Sequence, residues 1–192
     1  IETTLVGHTD GVSCVVATDS GNDNPMLVSA SQDGIIKIWD LKTYQEIRTL
    51  VGHKGSVSRV AVSYDKEHII SGGYDRIVRL WCFHTGKLIF CFEGHTDYIS
   101  CVALLSDGLR AVSASYDKNV RVRRLASPNM GQERSIDYFA DITDIALSRD
   151  GCMCVSASKD DAFKIWKCDT IEQCITLRGN GERAISVAVS AD

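Results

Sequence analysis

Three histidines, three serines and three aspartates stand in an order that could make a nucleophile. His8, Ser29 and Asp33 would supply the base, the hydroxyl and the orienting carboxylate of a Ser-His-Asp triad. The same types recur as His53, Ser71 and Asp75, and again as His95, Ser113 and Asp117. In each set the serine lies four residues before the aspartate. A nucleophile needs one tuned environment, so three copies on a fixed period point to a repeated structural unit instead. Trp39 and Trp81 follow their aspartates by six residues, and a fourth segment keeps Ser156, Asp160 and Trp166.

No other pattern in the chain suggests chemistry. The eight cysteines contain no C-x-x-C pair, and Cys14 and Cys101 fall at the same place in VSCVVA and ISCVAL. They read as packing thiols in a reducing compartment. Cys152 and Cys154 share a strand face, with no third ligand near them in sequence. There is no Gly-rich phosphate loop, paired-carboxylate site or zinc spacing. The expectation is therefore no catalytic residue, no cofactor and no metal. A formal charge of −4 gives no electrostatic reason to expect nucleic acid or an anionic membrane. No apolar run approaches the roughly 20 residues of a membrane helix, and no secretory segment opens the chain. An intracellular, cytoplasmic protein is expected, with a nuclear location also open.

The elements that position these residues repeat with them. Segments beginning GHTDGVSCVVA, GHKGSVSRVAV, GHTDYISCVAL and DYFADITDIAL each lead into a second run ending near a Trp or Arg. Asp33, Asp75, Asp117 and Asp160 are spaced 42, 42 and 43 residues apart. Each unit holds four short runs of strand character split by Gly, Asp and polar turns, as VSRVAVS, HIISGG, IVRLWCF and KLIFCF show in the second. Val12, Val57, Ile99, Ile142 and Ala184 align, as do Val15, Val60, Val102, Ile145 and Val187. Such alignment suits inner strands packed between neighbouring units. Extra residues in DSGNDNP and ASPNMGQ, where both prolines fall, mark surface loops.

A period near forty with a Gly-His start and a Trp-Asp end resembles the WD-repeat family, and the resemblance covers essentially the whole chain. It implies an all-β propeller segment: four blades of four antiparallel strands, with partial blades at both ends. Residues 1–192 then form one partial propeller domain with repeats at about 6–50, 51–92, 93–136 and 137–177, and a fifth beginning over 178–192. Ile1 to Leu5 aligns with an outermost strand, and Arg178 to Asp192 with the start of a repeat. Rings of this family usually have seven blades, so the chain is expected to be a segment of a larger protein.

The resemblance also assigns His-Ser-Asp-Trp to a hydrogen-bonded tetrad that locks each blade. Arg123 takes the Trp position of the third repeat, so Asp117 is expected to be held less firmly than Asp75. Tyr138 and Asn180 take the His positions of the fourth and fifth. Arg123 could instead join Lys118, Arg121 and Arg124 in a basic outer stripe. Against this, Lys37, Arg79 and Lys164 stand where Arg121 does, so that charge belongs to the repeat.

The family's partner contacts lie on the top rim: the residue before the tetrad aspartate, and those three and five after the Gly-His histidine. These are Gln32, Tyr74, Tyr116 and Lys159; Gly11, Ser56, Tyr98, Asp141 and Arg183; and Ser13, Ser58, Ser100, Thr143 and Ile185. Tyrosine is enriched at binding hot spots. The site reading is therefore Tyr74, Tyr98 and Tyr116, with Asp141, Lys159, Gln32 and Arg183 around them. The function implied is a non-enzymatic scaffold holding a peptide or protein loop, as part of a larger chain or multiprotein complex. Two alternatives stand: the sensor region of a larger nucleotide-hydrolysing signalling protein, and phosphopeptide recognition through Arg76, Lys118 and Lys159.

Overall fold

The structure is a computed structural model that describes residues 3–18, 24–125, 133–138, 140–170, 172–179, 181 and 183–190. The extra-residue loop 126–132, most of the loop at 19–25, and Ile1, Asn180 and Asp192 lie outside the described residues. All regular structure among the described residues is strand. Blade 1 contains β1 (Val12–Ala17), β2 (Met26–Ser31), β3 (Ile35–Asp40) and β4 (Gln45–Val51). Blade 2 contains β5 (Val57–Val62), β6 (His68–Gly73), β7 (Val78–Cys82) and β8 (Leu88–Phe92). Blade 3 contains β9 (Ile99–Leu104), β10 (Arg110–Ser115), β11 (Asn119–Arg124) and β12 (Glu133–Asp137). Blade 4 contains β13 (Ile142–Leu147), β14 (Met153–Ser158), β15 (Ala162–Lys167) and β16 (Gln173–Arg178). Each blade is one antiparallel sheet in chain order, and every connection is a hairpin between neighbours.

The core lies between blades. β5 packs on β1 and β2, β9 on β5 and β6, and β13 on β9 and β10, so each inner strand is covered by the blade before it. The aligned valines show what that cover does. Val57 and Val60 of β5 are 0% and 3% exposed, whereas Val12 and Val15 of β1 are both 53% exposed. Identical residues differ because no described blade precedes β1. The arc of blades stays open and does not close into a ring.

A bulge recurs at the same step of every inner strand. Val12 pairs with Ser31 and Cys14 with Ala30, leaving Ser13 unpaired. Ser58, Ser100 and Thr143 are skipped in the same way. Bulges leave a residue free of the ladder and re-aim its side chain. Ser13 Oγ donates to Val57 O of the next blade at 2.5 Å, Ser58 Oγ to Ile99 O, and Thr143 Oγ1 to Ala184 O at 2.9 Å. Two of these four hydroxyls, expected as rim contacts, thus bridge adjacent inner strands, and Thr143 reaches the segment that follows blade 4. Ser100 donates to Ala114 O within its own blade at 3.2 Å.

The chain ends depart from the repeat pattern. Thr3–Leu5 is not a strand in this structure, although an outer strand is expected there, because no inner strands lie beside it to complete the ladder. Residues 183–190 form no ladder either, yet they dock where a fifth inner strand would lie. Ser186 Oγ and Val187 N both donate to Asp144 Oδ2, at 2.6 and 3.1 Å.

Candidate functional site

The tetrads form as the repeated spacing predicts, and their geometry separates structure from catalysis. In blade 2 the Trp81 Nε1 hydrogen is donated to Ser71 Oγ at 2.8 Å. Ser71 Oγ lies 2.7 Å from His53 Nε2, and His53 Nδ1 lies 3.0 Å from Asp75. Blade 1 repeats this with Trp39, Ser29, His8 and Asp33, at 2.8, 2.7 and 3.0 Å. The consistent proton order is indole to serine, serine to Nε2, and Nδ1–H to carboxylate. The contacts match a catalytic triad, but Ser29, Ser71 and Ser113 are buried and already accept a hydrogen bond. A substrate has no route to them.

Each aspartate also ties down the chain ahead of its strand. The Thr9, Lys54 and Thr96 N–H groups donate to Asp33, Asp75 and Asp117 at 2.9–3.0 Å. Burial raises the carboxyl pKa of Asp33, but the Thr9 and Ile35 amides and His8 outweigh it and bring it down to about 2. Asp117 also falls to about 2, since His95 and the backbone donors overcome burial. Asp75 is lowered for the same reasons, with Arg79 adding a 2.6 Å ion pair. The glycine before each histidine has a packing cause: a Cβ on Gly52 would stand 2.9 Å from the Trp81 ring, and one on Gly7 3.0 Å from Trp39.

The two irregular tetrads resolve differently. Arg123 Nη1 donates to Ser113 Oγ at 2.7 Å, and Ser113 Oγ lies 2.9 Å from His95 Nε2. A guanidinium has therefore taken over the indole's bond. It is balanced by Glu133 Oε2 at 2.9 Å and the Glu93 carbonyl at 3.2 Å. Arg123 is buried, so it is no part of a basic outer stripe. In blade 4 the Tyr138 hydroxyl reaches Ser156 Oγ, and burial pushes its phenol pKa well up. Asp160, expected to complete this tetrad, is exposed and takes only the nearby Ser158 hydroxyl among the described residues. The phenol stops at Ser156 and has no second ring nitrogen to hold the carboxylate. Trp166 keeps its buried position, but its Nε1 has no hydrogen-bond partner among the described residues.

The rim residues gather at the end of the sheets where the tetrad aspartates lie. In every blade the residue before the aspartate donates its N–H to the residue three after the histidine position. The pairs are Gln32 to Gly11, Tyr74 to Ser56, Tyr116 to Tyr98 and Lys159 to Asp141, at 2.9–3.0 Å. Tyr74 of blade 2 stacks on Tyr98 of blade 3 with ring centroids 4.5 Å apart and planes 11° apart. Both remain about half exposed, at 53% and 43%. Lys159 Nζ sits 4.1 Å above the Tyr116 ring and 2.7 Å from Asp141 Oδ2. Tyr116, Lys159, Arg183 and the exposed Ile185 line a groove of about 440 Å³ with Thr143 and Ala184. The structure thus joins six of the seven expected site residues into a row across blades 2 to 4. Gln32 is exposed beside Gly11 on blade 1.

Arg76 and Lys118 are not among the residues that line the groove with Lys159. They occupy the left-handed turn position after their aspartates, with φ of 66° and 69°, where blade 1 has Gly34. Lys159 is committed to Asp141 and Tyr116. Among the described residues no group of three or more His, Cys, Asp or Glu could hold a metal, and no helix is long and apolar enough to cross a membrane.

A family profile described as WD domain, G-beta repeat matches residues 1–40, 44–82, 86–123 and 135–167. The chain is also similar to nuclear distribution protein nudF 1 of Talaromyces marneffei, at 49% identity over 63 residues, 31% of this chain and 13% of that protein. Coatomer subunit beta'-1 of Arabidopsis thaliana is 42% identical over 64 residues, 33% of this chain and 7% of its own length. Small ribosomal subunit protein RACK1 of Neurospora crassa is 36% identical over 59 residues, 31% of this chain and 18% of that protein. The matched stretches thus span less than a fifth of these relatives.

Proposed function

The chain belongs to the WD-repeat family, whose repeats are modules of protein interaction, and from that premise we propose that its rim over blades 2 to 4 holds a peptide or protein loop. The observation that carries this is the Tyr74–Tyr98 stack, two half-exposed rings held parallel across a blade boundary. Stacking fixes both side chains before a partner arrives, so less rotamer freedom is lost on contact. Beside them, Tyr116 under Lys159 and the adjoining groove offer an apolar floor with charge at its edge. Rigid aromatics next to a concavity are the make-up of a binding hot spot. The reading is of a scaffold with no reaction of its own, since the serines of the three triad-like sets are buried in the blades.

A photo-crosslinking residue at position 98 tests it in the full chain. The expected result is a discrete protein adduct lost when Tyr74 and Tyr116 are both alanine. Adduct formation indifferent to those two changes would exclude the rim as the contact surface.

A further inference from the structure

The end of the arc opposite the rim carries a second concavity, of about 460 Å³, between blades 3 and 4. Arg110 and Arg124 are directly paired across β10 and β11, and Arg134 pairs with Val122 across β11 and β12. Alternation along the strands places Arg110, Arg124, Val122 and Arg134 on one face of blade 3. All four line the cavity together with the paired Arg123 and Glu133, and Cys168 and Asp169 of blade 4 form the far wall.

Like charges directly opposite across a ladder are destabilising, and the repeat does not call for them here. The corresponding pairs are Met26–Asp40, His68–Cys82 and Met153–Lys167 in the other three blades. Partners for the three guanidinium groups are too few. Of the carboxylates around the cavity, Asp107 at 2.6 Å and Asp169 serve Arg110, while Glu133 on the lining is held by Arg121 and Arg123. Arg134 donates to the Asp169 carbonyl at 2.8 Å, a neutral acceptor. Arg124 is exposed, with no ion pair among the described residues. Arg124 and Arg134 therefore have no carboxylate partner of their own among the described residues, since Glu133 and Asp169 are both taken by other arginines.

We propose that this lower cavity between blades 3 and 4 binds a phosphate monoester, with Arg124 and Arg134 as its two anchoring guanidinium groups. A phosphate monoester carries close to two negative charges and offers three acceptor oxygens. That suits two guanidinium forks better than a single carboxylate does. Arg110, held by Asp107 and Asp169, forms the fixed wall beside them. The site is distinct from the rim, and its failure would leave the rim reading untouched.

Fluorescence anisotropy with a labelled Gly-Gly-phosphoSer-Gly-Gly peptide tests this, with the unphosphorylated peptide and inorganic phosphate as further arms. Saturable binding is expected, at least about tenfold tighter than for the unphosphorylated peptide and competed by inorganic phosphate. If inorganic phosphate binds as tightly as the phosphopeptide, free phosphate is the occupant of the same site. Arg124→Ala with Arg134→Ala should weaken either ligand at least about tenfold, while Lys42→Ala on blade 1 changes nothing. Should the double variant fail to fold, Arg124→Lys alone is expected to weaken binding several-fold, because the fork is lost while the charge stays. Equal binding of the two peptides, or wild-type affinity in a double variant that melts like the parent, overturns the proposal.

Discussion

Arg123 donates to Ser113 at 2.7 Å, where Trp81 donates to Ser71 at 2.8 Å. A guanidinium and an indole thus hold the same hydroxyl in neighbouring blades. The third tetrad is not short of a member, as its sequence suggests, but has recruited Glu133 to balance a buried charge.

That finding changes the reason for an expected difference between two aspartates. Asp117→Ala leaves His95 Nδ1 and the Thr96 amide unpaired and should cost about 1–3 kcal/mol. Asp75→Ala also takes the only carboxylate paired with the buried Arg79 among the described residues, leaving Nη1 with His53 Nδ1 at 2.7 Å, and should cost about 3–5 kcal/mol. Asp75 is thus the more costly loss because of Arg79, and not because the Asp117 network lacks a tryptophan. Denaturant melts of the two variants check this. Arg79→Met in an Asp75→Ala background should recover part of the loss, and no recovery would refute the role given to Arg79.

The fourth blade supplies a paired test of the indole hydrogen bond. Trp81→Phe and Trp166→Phe remove the same atoms from buried sites. Trp81 loses its 2.8 Å bond to Ser71, whereas Trp166 Nε1 makes no such bond among the described residues. Trp81→Phe should therefore be the more destabilising by about 1 kcal/mol. Calorimetric melts giving equal losses would show that the indole bond contributes nothing net.

Much of this fold is legible in the sequence because its signals are local and repeated. Gly-His starts, Asp turns and period-two apolar runs place the blades and the three His-Ser-Asp contacts directly. Contacts that depend on a neighbouring blade are not legible in this way. Ser13 and Ser58 read as surface hydroxyls until the bulge and the next inner strand show where they donate. The stack of Tyr74 on Tyr98 depends on how two blades tilt together, which no spacing of residues encodes. Asp160 fits its motif in sequence and leaves it in structure, because a phenol cannot do what the second nitrogen of an imidazole does.

Acid should unlock the tetrads in two stages. Burial disfavours the imidazolium of His95 more than Asp117 favours it, so its folded pKa lies below the ordinary 6.5. The unfolded chain then takes up the proton first, and stability is lost as pH falls below about 6.5. Asp33 and Asp117 have folded values of about 2 against 3.8 in the unfolded chain, so their contribution is intact above pH 4 and lost between about 4 and 2. Asp117→Asn should flatten the second decline, measured as melting temperature against pH.

Blade 2 also predicts a failure of repeat-consensus engineering. Where the other blades read Ser-Ala-Ser, it has Ser71-Gly72-Gly73. A Cβ on Gly73 would stand 2.2 Å from the Ser56 carbonyl oxygen, a backbone atom that cannot step aside. Gly73→Ser, although it restores the repeat's own text, should destabilise by about 1–3 kcal/mol. A stability gain in chemical denaturation would show that the local backbone relaxes freely.

The rim makes the sharpest demand, because its two central rings must act together. An aromatic pair at this distance is coupled by about 0.5–1.5 kcal/mol beyond the area it buries. A double-mutant cycle of Tyr74→Ala and Tyr98→Ala should therefore show that coupling in denaturant melts, since removing either ring forfeits the stack. With the partner captured at position 98 and then purified, each single Tyr→Ala change at 74, 98 or 116 should cost about 1–3 kcal/mol of binding. The Tyr74 and Tyr98 losses should be less than additive, because either change alone already frees the other ring. Lys159→Met should weaken binding as well, releasing both Tyr116 and Asp141 from their shared cation. Additive losses would mean two independent contacts and not one preformed surface. Binding unchanged in the triple-alanine protein would move the partner off this rim altogether.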